Sequence, residues 1–377
     1  MKLCVVAGEA SGDLHAAEVM RELRTLDPDL ELFGIGGDGL AAEGLRRIRD
    51  ARDLAIVGLF NVLGHLPMYF RALRDLIRAI ERERPDAILL VDYPDFNLRV
   101  AARAKTLGIP VFYYISPQVW AWRKRRVRQI AERVDQMFVI FPFEKELYDQ
   151  RGVEAMYVGH PLVGQLSSVR PRSSEPPSAP FRIAILPGSR RMEVDSLLRP
   201  ALGAVEIMKK SVSVESFVVL APTIERSQIA RLIGSTSVDV RIIEGEERLP
   251  ALAGADLAIC SSGTATLESA ILGVPPVVVY RLPPLTYAVA RRMVRLPYFS
   301  LVNIVAGKGI VPELIQQEVS AERVAQEALA ALEPSRWSRI RGEIDLVREK
   351  LGTPGAARRV AEKIATLIDR RTAAIPS

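Results

Sequence analysis

Short apolar runs alternate with amphipathic, helix-period segments along most of this 377-residue sequence, and that alternation limits the fold more than any other feature. Val5-Val6-Ala7, Leu32-Phe33-Gly34-Ile35, Ala87-Ile88-Leu89-Leu90-Val91, Val111-Phe112-Tyr113-Tyr114-Ile115 and Met137-Phe138-Val139-Ile140 are free of charge, as strands buried on both faces must be. Helix-period stretches such as 71–83 and 98–107 lie between them, so this part reads as a parallel sheet covered by helices. At 167–180 the pattern breaks into a Pro- and Ser-rich stretch that can bury nothing and reads as a linker or exposed loop. Five further runs follow: Ile183-Ala184-Ile185-Leu186, Phe217-Val218-Val219-Leu220, Val240-Arg241-Ile242-Ile243, Leu257-Ala258-Ile259-Cys260 and Val277-Val278-Val279-Tyr280. Residues 321–371 read as helix, broken near Pro334 and at Gly352-Thr353-Pro354-Gly355.

The expected fold class is therefore α/β, with two Rossmann-like doubly wound domains facing a cleft, followed by C-terminal helices. The expected divisions are 1–166, a linker at 167–180, a second domain at 181–352, and a C-terminal helix and tail at 353–377. A chain of this length is too long for one ordinary core and suits two such domains. Ligands of doubly wound sheets bind beyond the carboxyl ends of the strands, so the loops there carry the functional argument.

Composition narrows the class. Hydrophobic residues make up 49% and charged residues 25%, which is globular and not disordered. A net charge of +6 suits anionic partners without choosing among nucleotides, nucleic acid and acidic lipid. Cys4 and Cys260 are isolated, so neither a disulfide framework nor a zinc site is expected, which fits a reducing cytoplasm. The N-terminus runs straight into a strand and a Gly turn, unlike a signal peptide, and the uncharged run 54–70 is too broken for a membrane span.

Four strand ends hold candidate chemistry. The first strand leads into Gly8-Glu9-Ala10-Ser11-Gly12-Asp13-Leu14-His15, where Gly12 would permit close backbone approach and the helix N-terminus would favour an anion or a polar sugar group at Ser11 and Gly12. His15 is either a packed or capping residue or a catalytic one. A literal dinucleotide fingerprint, Gly34-Ile35-Gly36-Gly37-Asp38-Gly39, follows the second strand and not the first, so it reads better as a flexible loop lining the cleft. Asp92-Tyr93-Pro94-Asp95-Phe96-Asn97 closes the strand 87–91 and sets two carboxylates where ligands bind. One can serve as general base while the other orients it; Asn97 is the better helix cap, which leaves Asp95 for catalysis.

Leu186-Pro187-Gly188-Ser189-Arg190-Arg191 offers backbone N–H groups at Gly188 and Ser189 and a guanidinium at Arg190 for phosphate oxygens, but lacks the ending of a Walker loop. Ser261-Ser262-Gly263-Thr264-Ala265-Thr266-Leu267-Glu268 turns from strand to helix through small residues. The N–H groups of Gly263, Thr264, Ala265 and Thr266 would face a diphosphate at the positive end of the helix dipole. Ala265 stands where a capping box needs Ser or Thr, so Glu268 is left to accept hydrogen bonds from ribose hydroxyls. Two basic regions complete the inventory. Residues 120–128 mix Trp with Arg and Lys and suit a substrate or lipid phosphate better than RNA. Arg71, Arg74, Arg78 and Arg82 recur at helical spacing after the uncharged run and suit an anionic membrane surface, although Asp75, Glu81 and Glu83 partly neutralise them.

Taken in order and spacing, Ala7-Gly8-Glu9-Ala10-Ser11-Gly12-Asp13, Pro94-Asp95-Phe96-Asn97, Ser116-Pro117-Gln118-Val119-Trp120-Ala121-Trp122, Val158-Gly159-His160-Pro161-Leu162, Leu186-Pro187-Gly188-Ser189-Arg190 and Ser262-Gly263-Thr264-Ala265-Thr266-Leu267-Glu268 resemble the lipid-A-disaccharide synthase family. Leu301-Val302-Asn303-Ile304-Val305-Ala306-Gly307 and Pro312-Glu313-Leu314 fit as well, and the resemblance covers about residues 1–365. It implies a GT-B fold, with an acceptor and membrane side in the first domain and UDP-sugar binding in the second. It also implies transfer of 2,3-diacylglucosamine from its UDP derivative to 2,3-diacylglucosamine 1-phosphate, giving the β-1,6 disaccharide 1-phosphate and UDP. The work would be done on the cytoplasmic face of the inner membrane, without cofactor or metal and without nucleic acid, and a homodimer is the expected assembly.

With chemistry added, Asp95 becomes the expected base for the acceptor 6-hydroxyl, supported or replaced by His15 and Asp92. Arg190 and the Gly263–Thr266 turn would meet the leaving charge, Glu268 would hold the ribose, and Asn303 would line the donor site. The loop Ala306-Gly307-Lys308-Gly309-Ile310 departs from the family pattern in carrying two glycines, which puts its rigidity in question. Two rival readings stand beside this one: a UDP-N-acetylglucosamine 2-epimerase-like enzyme, which shares UDP binding but needs no acyl chains, and a nonenzymatic RNA- or membrane-binding protein that uses the basic segments.

Overall fold

A computed structural model describes residues 1–52, 62–117, 124–234, 238–293 and 297–373. The chain divides into two compact units, Met1–Pro161 with Thr353–Ser377, and Leu162–Gly352. The first holds β1 (Lys2–Ala7), β2 (Glu31–Gly36), β3 (Arg46–Asp50), β4 (Ala87–Val91), β5 (Val111–Tyr114), β6 (Gln136–Val139) and β7 (Ala155–Tyr157) in the order β3-β2-β1-β4-β5-β6-β7. The second holds β8 (Phe181–Leu186), β9 (Val214–Val219), β10 (Arg241–Ile243), β11 (Leu257–Ser261), β12 (Pro276–Tyr280) and β13 (Glu313–Ile315) in the order β10-β9-β8-β11-β12-β13. Every pairing is parallel.

The central strands have the composition such sheets demand. Val6 lies between Ile35 and Leu90 in register, and none of the three is exposed. One face of the first sheet packs on the helices Val62–Glu83, Pro94–Thr106 and Lys124–Arg133 through Leu76, Ile80, Phe96, Val100 and Ile130. Each such fully buried side chain stabilises the unit by roughly 1.5–3 kcal/mol before chain entropy is counted. The helix Ala10–Leu26 buries Ala16, Val19, Met20 and Leu23 and packs against the helix Ala356–Ala373. Arg359 donates to the Val158 carbonyl at 2.8 Å and Arg371 to the Gly108 carbonyl at 2.6 Å, so the C-terminal helix completes the first unit of its own chain.

Three expected loops differ from the sequence reading. The Gly-rich segment after β2 is neither a dinucleotide site nor flexible. The Asp13 carboxylate accepts the N–H groups of Gly37 at 2.6 Å, Gly39 at 2.8 Å and Leu40 at 3.3 Å, filling an anion site with the chain's own anion. A Cβ on Gly37 or Gly39 would stand 2.7 or 2.8 Å from that carboxylate, which is why glycines occur there. Asp13→Ala would strand three donors around a buried position, so it should cost about 3–5 kcal/mol, read as a lowered urea midpoint with unchanged slope.

The stretch 167–180 is more than a tether. Arg172 donates its N–H to the Leu272 carbonyl at 2.8 Å and pairs with Asp256 at 2.5 Å, which fastens the segment to the second unit. The two-glycine loop is also held. Gly307 closes the helix Leu301–Ala306 at φ 76°, and Lys308 pairs with Glu343 at 2.7 Å.

Candidate active site

Both sheets reverse direction of winding once, between β1 and β4 in the first and between β8 and β11 in the second. Loops leave those neighbouring strands toward opposite faces, and the crevice this opens at the carboxyl ends is where doubly wound proteins bind ligands. Apart from Asn303, which lies beyond β12, the expected site residues fall at these two places.

In the first unit, β4 ends in a strained turn. Asp92 and Tyr93 both adopt left-handed backbone, φ 47° and 46°, a cost of roughly 1–3 kcal/mol for each non-glycine residue. The surroundings impose it. Asn97 donates to the Asp92 carbonyl at 2.6 Å and the Val91 carbonyl at 3.2 Å, and the Tyr113 hydroxyl donates to the Asp92 carbonyl at 2.5 Å. Asn97 thus clamps the strand end from inside the helix Pro94–Thr106, which begins earlier than expected; it is not the cap. The glycine this turn requires is Gly8, where a Cβ would meet the Tyr93 ring at 2.6 Å, whereas Gly12 has ordinary room for one. Ser11 is exposed in the first turn of the helix Ala10–Leu26, and His15 is partly buried in its second turn.

The carboxylates at β4 differ sharply. Asp95 is exposed in the first helical turn and is ion-paired with Arg126. Asp92 is partly buried, and burial first, then the negative Glu9, push its pKa up to about 6, against a weaker opposing pull from the Tyr93 N–H and His15. Burial, reinforced by His15, depresses His160 to about 3, so that ring is neutral beside Phe141, 5.1 Å between centroids.

The Asp92 shift carries a stability prediction. Below about pH 3 the side chain is mostly protonated whether folded or not. Between about pH 4 and 6 the unfolded chain ionises first, which favours unfolding. Asp92→Asn removes that penalty, so its stability gain should be near zero at about pH 3, grow to pH 6 and level off, with a ceiling of about 3 kcal/mol. Chemical denaturation across pH 3–8 tests this; a pH-independent difference would contradict it.

In the second unit, the loop after β8 and the turn after β11 enclose a hollow of about 300 Å³. Gly188, Ser189, Arg190, Gly263, Thr264, Ala265 and Glu268 all line it, joined by Arg248 and Glu193. Gly263 caps the helix Thr264–Ile271 at φ 141° with open space at its Cβ position, leaving room at the helix N-terminus for an anion. Burial raises the Glu268 pKa and Arg248 opposes that shift. Thr266 and Asn303 depart from expectation. Thr266 is wholly buried with its hydroxyl on the Gly263 carbonyl at 2.8 Å. Asn303 is 1% exposed, and its amide is spent on the loop behind the site: Oδ1 accepts from Ile310 and Val311, and Nδ2 donates to Val311 and Glu313, all within 3.1 Å. Both build the frame and do not touch the hollow.

Arg248 and Glu193 were missed in the sequence. Glu193 carried a signal, being three residues beyond Arg190 on one helix face. Arg248 arrives from a separate segment and carries none. Among the described residues, no group of three or more His, Cys, Asp or Glu could hold a metal ion, and no helix is long and apolar enough to cross a membrane.

Known proteins resemble this chain in sequence and in fold. A sequence model of the family described as Lipid-A-disaccharide synthetase matches residues 3–361. The Lipid-A-disaccharide synthase of Anaeromyxobacter dehalogenans strain 2CP-C is 45% identical over 372 residues, covering 96% of each chain. Among solved structures, a UDP-N-acetylglucosamine 2-epimerase described as putative, from Listeria monocytogenes, aligns with TM-score 0.65 at 15% identity, covering 98% of this chain and 97% of the other. Acinetobacter baumannii MurG aligns with TM-score 0.61 at 16% identity, covering 97% and 99%. At such identities the two structures report the shared fold, which is GT-B.

Proposed function

This chain belongs to the lipid-A-disaccharide synthase family, and from that premise we propose that it transfers 2,3-diacylglucosamine from its UDP derivative to 2,3-diacylglucosamine 1-phosphate. The product is the β-1,6-linked disaccharide 1-phosphate, and UDP leaves. The observation that carries the donor side is the hollow at the β8–β11 switch point, where glycine-rich N–H groups, Arg190 and Glu268 converge.

The residues assigned to the acceptor lie in the first unit and those assigned to the donor in the second. The acceptor 6-hydroxyl oxygen bonds to the donor's anomeric carbon as the bond from that carbon to the diphosphate breaks, with inversion. Asp95 takes the hydroxyl proton; its carboxylate is exposed at the start of the helix, and Arg126 is its ion-pair partner. Asp92 and His15 support it from the same strand ends. Negative charge gathers on the departing diphosphate, where Arg190 and the N–H groups of Gly188, Ser189, Gly263, Thr264 and Ala265 meet it as fixed donors. This set supplies the charge that a metal would otherwise bring, so turnover is independent of added metal. Glu268 accepts from the ribose hydroxyls.

The lipid substrates place the enzyme on a membrane surface, the cytoplasmic face of the inner membrane. The helix Val62–Glu83 supports this. Phe70 is half-exposed, and Arg71, Arg74, Arg78 and Arg82 are exposed. The acids beside them are outnumbered by arginines: Asp75 is shared by Arg49 and Arg74, Glu83 by Arg46 and Arg82, and Glu81 pairs with Arg103, so they cancel the basic face only in part. Residues 54–61 of the uncharged run, and 120–123 of the Trp-Arg segment, lie outside the described residues. The epimerase reading retains only the shared fold. Incubation with donor, with acceptor, and with both in detergent separates the two: disaccharide should form only with both lipids. Isomerised UDP-sugar from donor alone would support the epimerase.

A further inference from the structure

The loop that should receive a diphosphate already holds a carboxylate. Glu193 Oε2 accepts the Ser189 N–H at 3.1 Å, and its Oε1 lies 3.3 Å from an Arg190 guanidinium nitrogen. The backbone is moulded around it: Gly188 sits at φ 120°, and a Cβ there would come 2.4 Å from Oε2. On the other side, the Thr223 hydroxyl donates to the Ser189 carbonyl at 2.6 Å. Glu193 is largely buried, while the arginine it holds is 69% exposed.

We propose that Glu193 is an internal stand-in for the donor's diphosphate, holding Ser189 and Arg190 in the empty site and surrendering both to phosphate oxygens when the nucleotide binds. The inference rests on the UDP-sugar reading above and adds to it a residue that sets nucleotide affinity. Three arguments support it. A carboxylate in the first turn of the helix Arg191–Met208 is favoured by the same N-terminal potential that favours phosphate, so the two compete for one place. The edge of Arg190 that faces Glu193 cannot fork onto phosphate oxygens at the same time. Once displaced, Glu193 remains a negative charge against the bound diphosphate. A transferase must release UDP after every turnover, and this repulsion opposes its retention. Asp13 shows the same device made permanent, a carboxylate occupying a glycine-lined N–H site.

The test is calorimetric titration of wild type and Glu193→Gln with UDP and, separately, uridine. The amide oxygen of Gln can still accept from Ser189, so the loop is kept while the charge is removed. UDP should bind the variant about tenfold more tightly, one like charge at close range, and uridine, which lacks phosphate, should bind equally to both. Glu193→Ala, which also drops the Ser189 contact, should shift UDP in the same direction, and thermal unfolding of each variant checks the fold. UDP binding that is unchanged or weaker in folded Glu193→Gln, or a uridine shift of equal size, would overturn the inference alone. Wild type that binds no UDP would remove the underlying reading and the inference with it.

Discussion

Asp95→Asn should lower kcat by about 10²–10⁴-fold, the usual contribution of a positioned general base, while UDP affinity stays at the wild-type value. The two effects separate because the nucleotide hollow is built wholly within Leu162–Gly352 and Asp95 belongs to the other unit. Asn keeps the size of the side chain and can still meet Arg126, so the helix start should survive. Steady-state kinetics at saturating lipids, with UDP titration alongside, reads both quantities. An Asn variant with full kcat would pass the role of base to Asp92 or His15. Asp92 is the stronger substitute, since a pKa near 6 leaves it mostly ionised at neutral pH yet able to hold a proton.

Glu268→Ala should lower kcat/KM for the UDP donor by about 10²–10³-fold, from the loss of two charge-assisted hydrogen bonds to ribose. The variant should fold. Burial raises the Glu268 pKa in the native protein, so its removal relieves a desolvation cost at neutral pH. A donor lacking one ribose hydroxyl provides the matching control. It should be poor for wild type and no worse than the natural donor for Glu268→Ala, because the hydroxyl's partner is already gone. If wild type treats the two donors alike, Glu268 does not hold the ribose.

How much of this was legible in the sequence follows from what each residue needs from distant chain. Nine of the ten runs became interior strands, which in a parallel sheet must be apolar on both faces; the tenth, β10, is an edge strand and carries Arg241. The strands missed, β3, β7 and β13, are all sheet edges, where Arg46, Arg47 and Arg49 are as acceptable as valine. The strand-end motifs were legible because the turn residues and the chemistry lie within a few positions of each other. Gly188 with Arg190, and Gly263 with Glu268, needed only the fold to bring them into one hollow. What stayed hidden were long-range uses of ordinary polar groups. The Gly-rich loop after β2 matches a nucleotide fingerprint, and only the fold puts Asp13 into it from another element. Asn303 has a binding residue's chemistry, and only the path of 310–313 shows its amide consumed.

The central claim is metal-independent, inverting transfer between two lipid-linked sugars. Its most direct measurement follows the complete reaction by NMR in detergent with EDTA present, recording UDP release together with the anomeric proton of the product. The predicted result is one UDP for each disaccharide, a β linkage at the new bond, and a rate unchanged by EDTA. Loss of turnover in EDTA, an α linkage, or UDP released without disaccharide would contradict it.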